Sequence, residues 1–462
     1  MFQLFLESFQ QLTFAGQCMF VLALLTAFAF EFINGFHDTA NAVTTVIYTK
    51  TLKPTPAVLF SGFMNFLGVL LGGTTVAFSI VNLLPVDLLI DNSGGKAIVM
   101  VMSLLLAGVI WNLGTWWMGL PVSSSHTLIG SILGVGLANS LMTTGTLAGV
   151  NWNKALDVGK ALLLSPLIGF AAAALLLLLM KLFLRNASLY QPPGEGDNPP
   201  SWIRGVLIAT CGGVSFAHGS NDGQKGMGLI LLALIGFLPA FYSMDLNHPN
   251  LAKDVYRSAQ QIETSLEAAG KSTPEIVAEL DKIEAMLDGK SSLYEVPNEQ
   301  RWEVRQAIFK FNQAVGKIEL EGDAKKQLDT SRKSFKEAIE YVPLWVVIGT
   351  ALALGIGTTI GYKRIVVTIA EKIGKTHLTY AQGAAAETVA AVTIGLADLF
   401  HAPVSTTHVL SSGIAGTMWA NRSGIQGSTI RKILIAWVLT LPMAVLLGGT
   451  LYYLGCALVP SV

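Results

Sequence analysis

The stretch FEFINGFHDTANAV (30–43) places acidic, amide, glycine and histidine residues directly after CMFVLALLTAFAF (18–30), which is apolar enough to enter a bilayer. An acidic side chain facing hydrocarbon costs about 3 kcal/mol, so an acid such as Asp38 at such a depth indicates a functional site. Irregular backbone at membrane depth is tolerated only where it is buried in protein or lines a cavity. The stretch therefore predicts a helix that is interrupted around a polar site.

The composition indicates that most of the chain lies in a membrane. Of 462 residues, 52% are hydrophobic and 13% are charged, against about 25% charged in a soluble domain. We predict an all-α polytopic membrane protein with about 10–12 transmembrane segments, some of them broken or re-entrant, because the apolar runs approach the roughly 20 residues that cross hydrocarbon. The runs lie near 14–36, 57–85, 97–120, 126–142, 158–184, 202–218, 226–243, 342–362, 378–400, 406–420 and 430–456.

Two regions depart from the apolar pattern. Residues 244–341, called the insertion below, are dense in both charge signs and helical in rhythm, with amphipathic segments at 250–266 and 272–290. They predict a soluble helical module, which is either a spacer or a regulatory or partner-binding element. Residues 186–201 are rich in Pro and Gly and predict a linker. The predicted organisation is repeat 1 (1–185), linker (186–201), repeat 2 (202–243 and 342–462) and the insertion between the two parts of repeat 2.

The two membrane halves are repeats of one another. GFHDTANAV (35–43) aligns with GSNDGQKGM (219–227), and PVSSSHTLIGSILG (121–134) aligns with PVSTTHVLSSGIAG (403–416). The first pair is offset by 184 residues and the second by 282, and the difference of 98 is the length of the insertion. Repeat 1 holds five of the apolar runs and repeat 2 holds six. If one run of repeat 2 is re-entrant, each half has an odd number of crossings, so we expect inverted repeats, whose matching polar segments form a transporter's site near mid-membrane.

The repeated Ser/Thr motifs predict the kind of ligand. Pro121 and Pro403 each end a helix, and a hydroxyl-rich run opens the next one. A helix N-terminus offers free N–H donors and the positive end of its dipole, which together favour an anion. A Ser or Thr at this place is also a common helix cap without any ligand. Because the motif is duplicated, we predict a small tetrahedral oxyanion bound between Ser123, Ser124, Ser125, Ser405, Thr406 and Thr407.

With these motifs and NFLGVLLGG (65–73), IWNLGTWWMGLPVSSSHTLIG (110–130) and AHGSNDGQKGMG (217–228), the chain resembles the inorganic phosphate transporter (PiT) family, in particular its bacterial low-affinity branch. The resemblance implies symport of inorganic phosphate without ATP hydrolysis, in the bacterial cytoplasmic (inner) membrane. It implies no cofactor and no dedicated metal site, and it leaves a homodimer open. It also implies phosphate contacts from Asp38, Asn41, Asn221 and Asp222 and from the hydroxyls of Ser124, Ser125, Thr406 and Thr407.

Two departures from the sodium-coupled pattern concern the coupling ion. Sodium-coupled relatives resemble Asn-Asp-x-Ala-Asn in both repeats, whereas here His37 replaces the first Asn, and Gln224 and Lys225 replace Ala-Asn. A lysine brings a positive charge and no acceptor oxygen, which disfavours a nearby Na⁺. The resemblance to the proton-coupled branch implies H⁺ as the co-transported ion and a neutral complex of phosphate with Mg²⁺, Ca²⁺, Zn²⁺ or a similar metal. Sodium-coupled phosphate transport and transport of another oxyanion such as sulfate are the alternatives.

The remaining polar residues of the apolar segments form a second rank of candidates. Ser123, Ser405, His126, His408 and Glu387 are secondary site candidates, the histidines as proton relays or as hydrogen-bonding groups between helices. Glu31 and Asn65 are either helix–helix contacts or pathway-lining residues. Neither a P-loop nor a zinc-type His/Cys cluster is present in the sequence, and there is no basic tract for nucleic acid. The sequence therefore predicts a transporter and not an enzyme.

Overall fold

The computed structural model describes residues 2–81, 83, 95–147, 150, 152–194, 199–316, 318, 322–399 and 404–458; the side chains of residues 2–4, 39, 41, 153–155, 157–158, 161–162, 322–324, 327 and 398–399 are left undescribed. The regular elements of these ranges are helices, and a single β-bridge joins Gly374 to Ile425. The all-α prediction is therefore confirmed.

Seven α-helices belong to the first half of the chain. They are α1 (Phe2–Gln10), α2 (Phe14–Tyr48), α3 (Pro54–Leu71), α4 (Thr75–Val81), α5 (Gly95–Trp117), α6 (Ser124–Thr144) and α7 (Trp152–Phe183). A short 3₁₀ helix (Ala187–Tyr190) follows in the predicted linker, where Leu189 is buried.

The second half contains eleven described α-helices. They are α8 (Ser201–Phe237), α9 (Pro239–Tyr242), α10 (Leu251–Ala268), α11 (Pro274–Leu287), α12 (Asn298–Val315), α13 (Gly322–Ile339), α14 (Leu344–Thr358), α15 (Lys363–Glu371), α16 (Tyr380–Leu399), α17 (Thr406–Ala420) and α18 (Gly427–Leu458).

Six of the described helices are long and apolar enough to cross a membrane, judged by length and composition. They are α2, α3, α5, α6, the Leu163–Phe183 part of α7, and α18. The prediction of 10–12 segments also counted helices such as α14 and α17, which have 15 residues each. It counted 202–218 and 226–243 as two spans, whereas most of both lies in the single helix α8.

The helix interruption predicted within 30–43 is wrong, since α2 runs without a break from Phe14 to Tyr48. Its glycine serves close packing instead: a Cβ on Gly35 would overlap the backbone of Leu354 in α14. Similarly, a Cβ on Gly219 of α8 would overlap the backbone of Asn65 in α3. The glycines of both motifs are therefore explained by neighbouring helices at short distance and not by unwinding.

The breaks in the membrane helices occur at the Ser/Thr motifs. After α5 the chain turns at Gly119, whose φ is +68°, and α6 begins at Ser124 with Ser123 as its cap. In the second repeat α17 begins at Thr406 with Ser405 as its cap. The prediction of broken helices is confirmed at these two places.

The two repeats exchange their C-terminal helices. Helix α6 packs along α18, and the equivalent α17 packs along α7. Both α7 and α18 have 32 residues and an internal proline, Pro166 and Pro442. This reciprocal packing brings the N-termini of α6 and α17 into one interior.

The chain forms two compact units: residues 1–21 with 231–343, and residues 22–230 with 344–462. The first unit contains the insertion as helices α10–α13, in which α10 packs on α13 and α11 on α12. The second amphipathic segment begins with a helix cap, since Thr273 Oγ1 accepts the N–H of Ile276 and Pro274 opens α11. The apolar stripes that the sequence predicts, including Val255, Ile262, Leu280 and Ile283, are buried.

The two ends of the insertion are held together by backbone hydrogen bonds and a buried guanidinium. The N–H of Asp245 donates to the carbonyl of Ala338 at 2.9 Å. The Nη1 of Arg305 donates to the carbonyls of Ser243 (2.7 Å) and Ile339 (2.8 Å). Burial lowers the pKa of Arg305 to about 10, with Glu340 opposing the shift, so the side chain is charged at neutral pH.

We expect Arg305→Met to destabilise the insertion by on the order of 2–4 kcal/mol, because two buried carbonyls lose their donors. Limited chymotrypsin digestion of the full chain in detergent should cut within 244–341 faster than in the unmodified protein. Arg257→Met, which removes an exposed arginine from the same module, is the control. Equal digestion rates for both variants would contradict this role of Arg305.

A second prediction concerns the contact between α6 and α18. A Cβ on Gly134 would overlap the carbonyl of Val445, so Gly134→Ala should lower stability by on the order of 1–3 kcal/mol. Gly395→Ala in α16 meets no atom within 4 Å and should be neutral or stabilising by up to about 1 kcal/mol. Thermal unfolding of the purified variants in detergent measures both, and an unchanged midpoint for Gly134→Ala would refute the close contact.

Candidate binding site

The candidate site is built where the N-termini of α6 and α17 meet α2 and α8. Both helix starts are capped in the same way: Ser123 Oγ accepts the N–H of His126 at 3.3 Å, and Ser405 Oγ accepts that of His408 at 3.2 Å. The caps hold the next hydroxyls in the first turn of each helix. The repeated sequence motif thus produces repeated geometry.

Asp38 joins the two repeats. Its Oδ2 accepts a hydrogen bond from the hydroxyl of Ser124 (3.1 Å) at the start of α6, and its Oδ1 accepts one from Thr407 (2.6 Å) at the start of α17. All three side chains are buried. A carboxylate therefore sits at the positive ends of two helices, which is a favourable place for negative charge.

His218 links the two acids and was missed in the sequence analysis. Its Nε2 lies 3.7 Å from Asp38 Oδ2 and 3.5 Å from Asp222 Oδ2. The signal was the spacing within AHGSND, because residues 218 and 222 are one helical turn apart and share a face. The sequence predicts Asp222 as a site candidate, but His218, which lies one turn before it on α8, was overlooked.

The orientation of the His218 ring follows from a chain of donors and acceptors. Thr358 Oγ1 donates to the carbonyl of Leu354 (2.9 Å), and Asn65 Nδ2 donates to Thr358 Oγ1 (3.0 Å). The remaining oxygen of the Asn65 amide lies 2.9 Å from His218 Nδ1 and can only accept. Nδ1 therefore carries a proton, and Nε2 points between the two carboxylates.

A fixed cation neutralises Asp222. Lys225 Nζ lies 2.5 Å from Asp222 Oδ1 and donates to Ser125 Oγ at 2.6 Å. His37, also buried, lies with Nδ1 3.4 Å from Asp38 Oδ1 and with Nε2 3.4 Å from Thr115 Oγ1. The departures at positions 37 and 225 thus place basic groups directly on the two acids.

Gln224, the other departure, has a structural role. Its Oε1 accepts the N–H of Val76 at 2.8 Å, and its Nε2 donates to the carbonyls of Gly72 and Ser220 at 3.0 Å each. These contacts hold the connection between α3 and α4 against α8. The amide is therefore turned away from the acids.

The other predicted site residues are placed as follows. Thr406 borders a small cavity together with Asp38, Asn65, Ser215 and His218. Asn221 is buried, and its amide has no hydrogen-bond partner among the described side chains. Asn41 lies in α2, and its side chain is outside the described residues.

The secondary candidates lie around this centre. The rings of His126 and His408 stack on each other with centroids 5.0 Å apart, and His408 also lies 4.1 Å from the ring of Trp437. Glu387 accepts hydrogen bonds from Thr45 and from Thr210 (2.5 Å). It forms a separate buried group, outside the contacts of Asp38 and Asp222 described here.

The contacts between α2 and α8 show that the two helices run in opposite directions. Glu31 of α2 lies against Gly226 of α8, Asp38 faces His218, and Thr45 and Thr210 share Glu387. Residue numbers rise along α2 while they fall along α8. These equivalent helices of the two repeats are therefore antiparallel, as inverted repeats require.

The arrangement could bind an anion and a cation together. Hydroxyls and helix N-termini are anion donors, and ligand atoms of Asp38, His218 and Asp222 lie within 4.8 Å of one another, close enough to hold a metal ion. The sequence predicted no dedicated metal site, and an ion that travels with the substrate would still be compatible with that prediction.

Comparisons with known proteins identify the family. The phosphate transporter family matches residues 34–448. The chain is 42% identical to the low-affinity inorganic phosphate transporter PitA of Escherichia coli (strain K12), covering 94% of this chain and 96% of that protein. It is 30% identical to the probable low-affinity inorganic phosphate transporter of Bacillus subtilis (strain 168), covering 94% and 96%.

A solved structure described as the sodium-dependent phosphate transporter has the same fold, with a TM-score of 0.56, 19% identity and coverage of 96% of this chain and 100% of that one. The resemblance to a transporter family, and the prediction of a multi-pass membrane protein that is not an enzyme, are confirmed. The chain belongs to the phosphate transporter family.

Proposed function

We propose that this protein takes up inorganic phosphate across the bacterial cytoplasmic membrane by secondary symport, coupled to protons, with phosphate carried as a complex with a divalent metal. Family membership and the names of the relatives support phosphate as the substrate. Proton coupling and the metal are supported by the charges of the site.

The observation that carries the proposal is the sharing of Asp38 by Ser124 and Thr407. The hydroxyls of Ser124 in α6 and Thr407 in α17 come from both repeats and converge on one carboxylate. The same donors suit a tetrahedral oxyanion. Phosphate that binds to Ser124, Ser125, Thr406 and Thr407, with Asn41 and Asn221 as further proposed ligands, would therefore meet the charge of Asp38.

Binding phosphate beside Asp38 requires cations that offset the repulsion between the negative charges. Unit charges about 4 Å apart repel by roughly 4 kcal/mol at an effective dielectric near 20, and phosphate brings one or two charges to a site with two acids. Lys225 supplies one positive charge on Asp222, and His37 and His218 can each bind a proton beside Asp38. Because the Lys225 ammonium already contacts Asp222, protons balance the rest better than a bound Na⁺.

The metal is supported by the ligand set around His218. Two carboxylates and an imidazole nitrogen suit Zn²⁺ and similar ions, whereas Mg²⁺ and Ca²⁺ prefer oxygen ligands, which phosphate itself would add. The hydrogen bonds from Thr358 through Asn65 fix the tautomer of His218 in which Nδ1 carries the proton and Nε2 faces the two acids. Metal-binding histidines are usually oriented in this way, by a hydrogen bond to the ring nitrogen that does not bind the metal. A metal carried with phosphate would be substrate, and these residues would contact it during transport.

Two alternatives have specific support. Sodium coupling is suggested by the shared fold with the sodium-dependent phosphate transporter, at 19% identity. Sulfate is a tetrahedral oxyanion that the same helix N-termini could bind. Uptake measurements with separate ion gradients and with competing sulfate distinguish both from proton-coupled phosphate transport.

We predict that Asp38→Asn and Asp222→Asn each abolish phosphate uptake while the protein still reaches the membrane, since each removes a charge that the site's cations are arranged around. Uptake of labelled phosphate into cells, normalised to membrane-inserted protein, measures this. Asp281→Asn, at an exposed position of the insertion, should behave like the unmodified protein. Near-normal uptake by either site variant would reject a single central site.

The coupling ion is predicted from the same charges. In proteoliposomes, uptake should rise with an inward proton gradient and with Mg²⁺, and it should not respond to a sodium gradient. His37→Asn combined with Lys225→Asn restores both asparagines of the sodium-type pattern and should shift the dependence toward Na⁺, whereas Lys253→Asn on the exposed insertion should not. Sodium-driven, proton-insensitive uptake by the unmodified protein would overturn the coupling and leave phosphate as the substrate.

A further inference from the structure

Glu31 is a buried acid that the site described above does not use. Its side chain has 0% exposure. Neither carboxylate oxygen makes a hydrogen bond of ordinary geometry with the described residues. The side chain of Asn34, one turn further along α2, interacts with it without reaching that geometry, and the Asn34 Oδ1 is likewise buried without a partner.

The position of Glu31 connects it to the site. Glu31, Asn34 and Asp38 are spaced by three and four residues and therefore share one face of α2. On α8 the facing residues are His218, Asp222, Lys225 and Gly226. The contact with Gly226 is tight, since a Cβ there would overlap the carboxyl group of Glu31. Glu31 thus lies about 10 Å along the helix axis from Asp38, at the rise of 1.5 Å per residue.

The surroundings favour a neutral carboxyl group. Burying an ionised carboxylate without hydrogen bonds costs several kcal/mol, and the protonated acid avoids most of this cost. The charged groups that interact electrostatically with Glu31 include Asp222, His218 and Lys225 of α8. Under the proposed coupling, cations and phosphate enter beside Asp222 and His218, so the affinity of Glu31 for a proton is linked to the loading of the site.

We propose that Glu31 carries the proton that moves with phosphate. This rests on the proposed proton coupling. The carboxylate binds one H⁺ from water on one side of the membrane and releases it to water on the other, and no other bond is made or broken. Gly226 is part of the same arrangement, because its missing side chain leaves the space that the carboxyl group of Glu31 occupies.

The test uses Glu31→Gln in proteoliposomes with inorganic phosphate and Mg²⁺. The amide has the shape of the protonated acid and cannot release a proton. Exchange of labelled for unlabelled phosphate at equal pH needs no net proton movement and should be retained. Accumulation driven by an inward proton gradient should lose its response to the gradient. Glu371→Gln, which removes an exposed carboxylate, should keep both activities.

A second measurement does not depend on transport. The infrared carbonyl band of a protonated carboxylic acid should be present in the unmodified protein, be reduced in Glu31→Gln and be unchanged in Glu371→Gln. Gly226→Ala retains the acid but displaces it, and should shift the pH dependence of gradient-driven uptake, while Gly395→Ala should not.

Three outcomes overturn the inference. If Glu31→Gln still responds to the proton gradient like the unmodified protein, the proton is carried elsewhere. If exchange is lost together with gradient-driven uptake, Glu31 belongs to the binding or folding machinery. If the unmodified protein itself ignores the proton gradient, the proposed coupling fails first and this role falls with it. Retained exchange with lost gradient response supports the proposal.

Discussion

The carboxylate of Asp38 is the interaction on which the interior depends. A buried charge is tolerated only when donors surround it, and here those donors are the first hydroxyls of α6 and α17. The helix breaks before Ser124 and Thr406, their serine caps and the exchange of C-terminal helices between repeats all serve to bring these two helix starts to one point. The donors that satisfy this acid are the same groups that the proposed function assigns to phosphate.

Close helix contact makes this convergence geometrically feasible. Small residues let membrane helices approach each other's backbones, and glycines such as Gly35, Gly134 and Gly219 lie where a Cβ would overlap a neighbouring helix. The polar faces of α2 and α8 can therefore lie against each other in antiparallel fashion. A row of ionisable groups results, with Glu31 at one end, the Asp38–His218–Asp222 group in the middle and Glu387 at the other end.

The cations of the site define how this chain differs from a sodium-type pattern. Lys225 is held between Asp222 and Ser125, and His37 lies between Asp38 and Thr115. An ammonium group at hydrogen-bond distance occupies the position in which a free cation would neutralise the acid. Part of the charge balance is thereby supplied by a side chain of the protein itself, and the proposed function assigns the remainder to protons and a metal ion.

The sequence by itself determined the class, the repeats and the family, because hydropathy, motif spacing and the 98-residue offset difference are properties of the order of residues. It also predicted Asp38, Asp222 and the paired hydroxyls as site candidates. Only the tertiary structure decided that the Asp motifs lie in continuous helices, since whether a glycine breaks a helix or accommodates a neighbour depends on what packs against it. The roles of His218, Gln224 and Glu31 were decided in the same way: His218 reaches both acids, Gln224 supports a chain connection, and Glu31 is left without an ordinary hydrogen bond. What a polar side chain does in an apolar helix depends on the residues that pack against it. Those residues are distant in sequence, so the local sequence does not identify them.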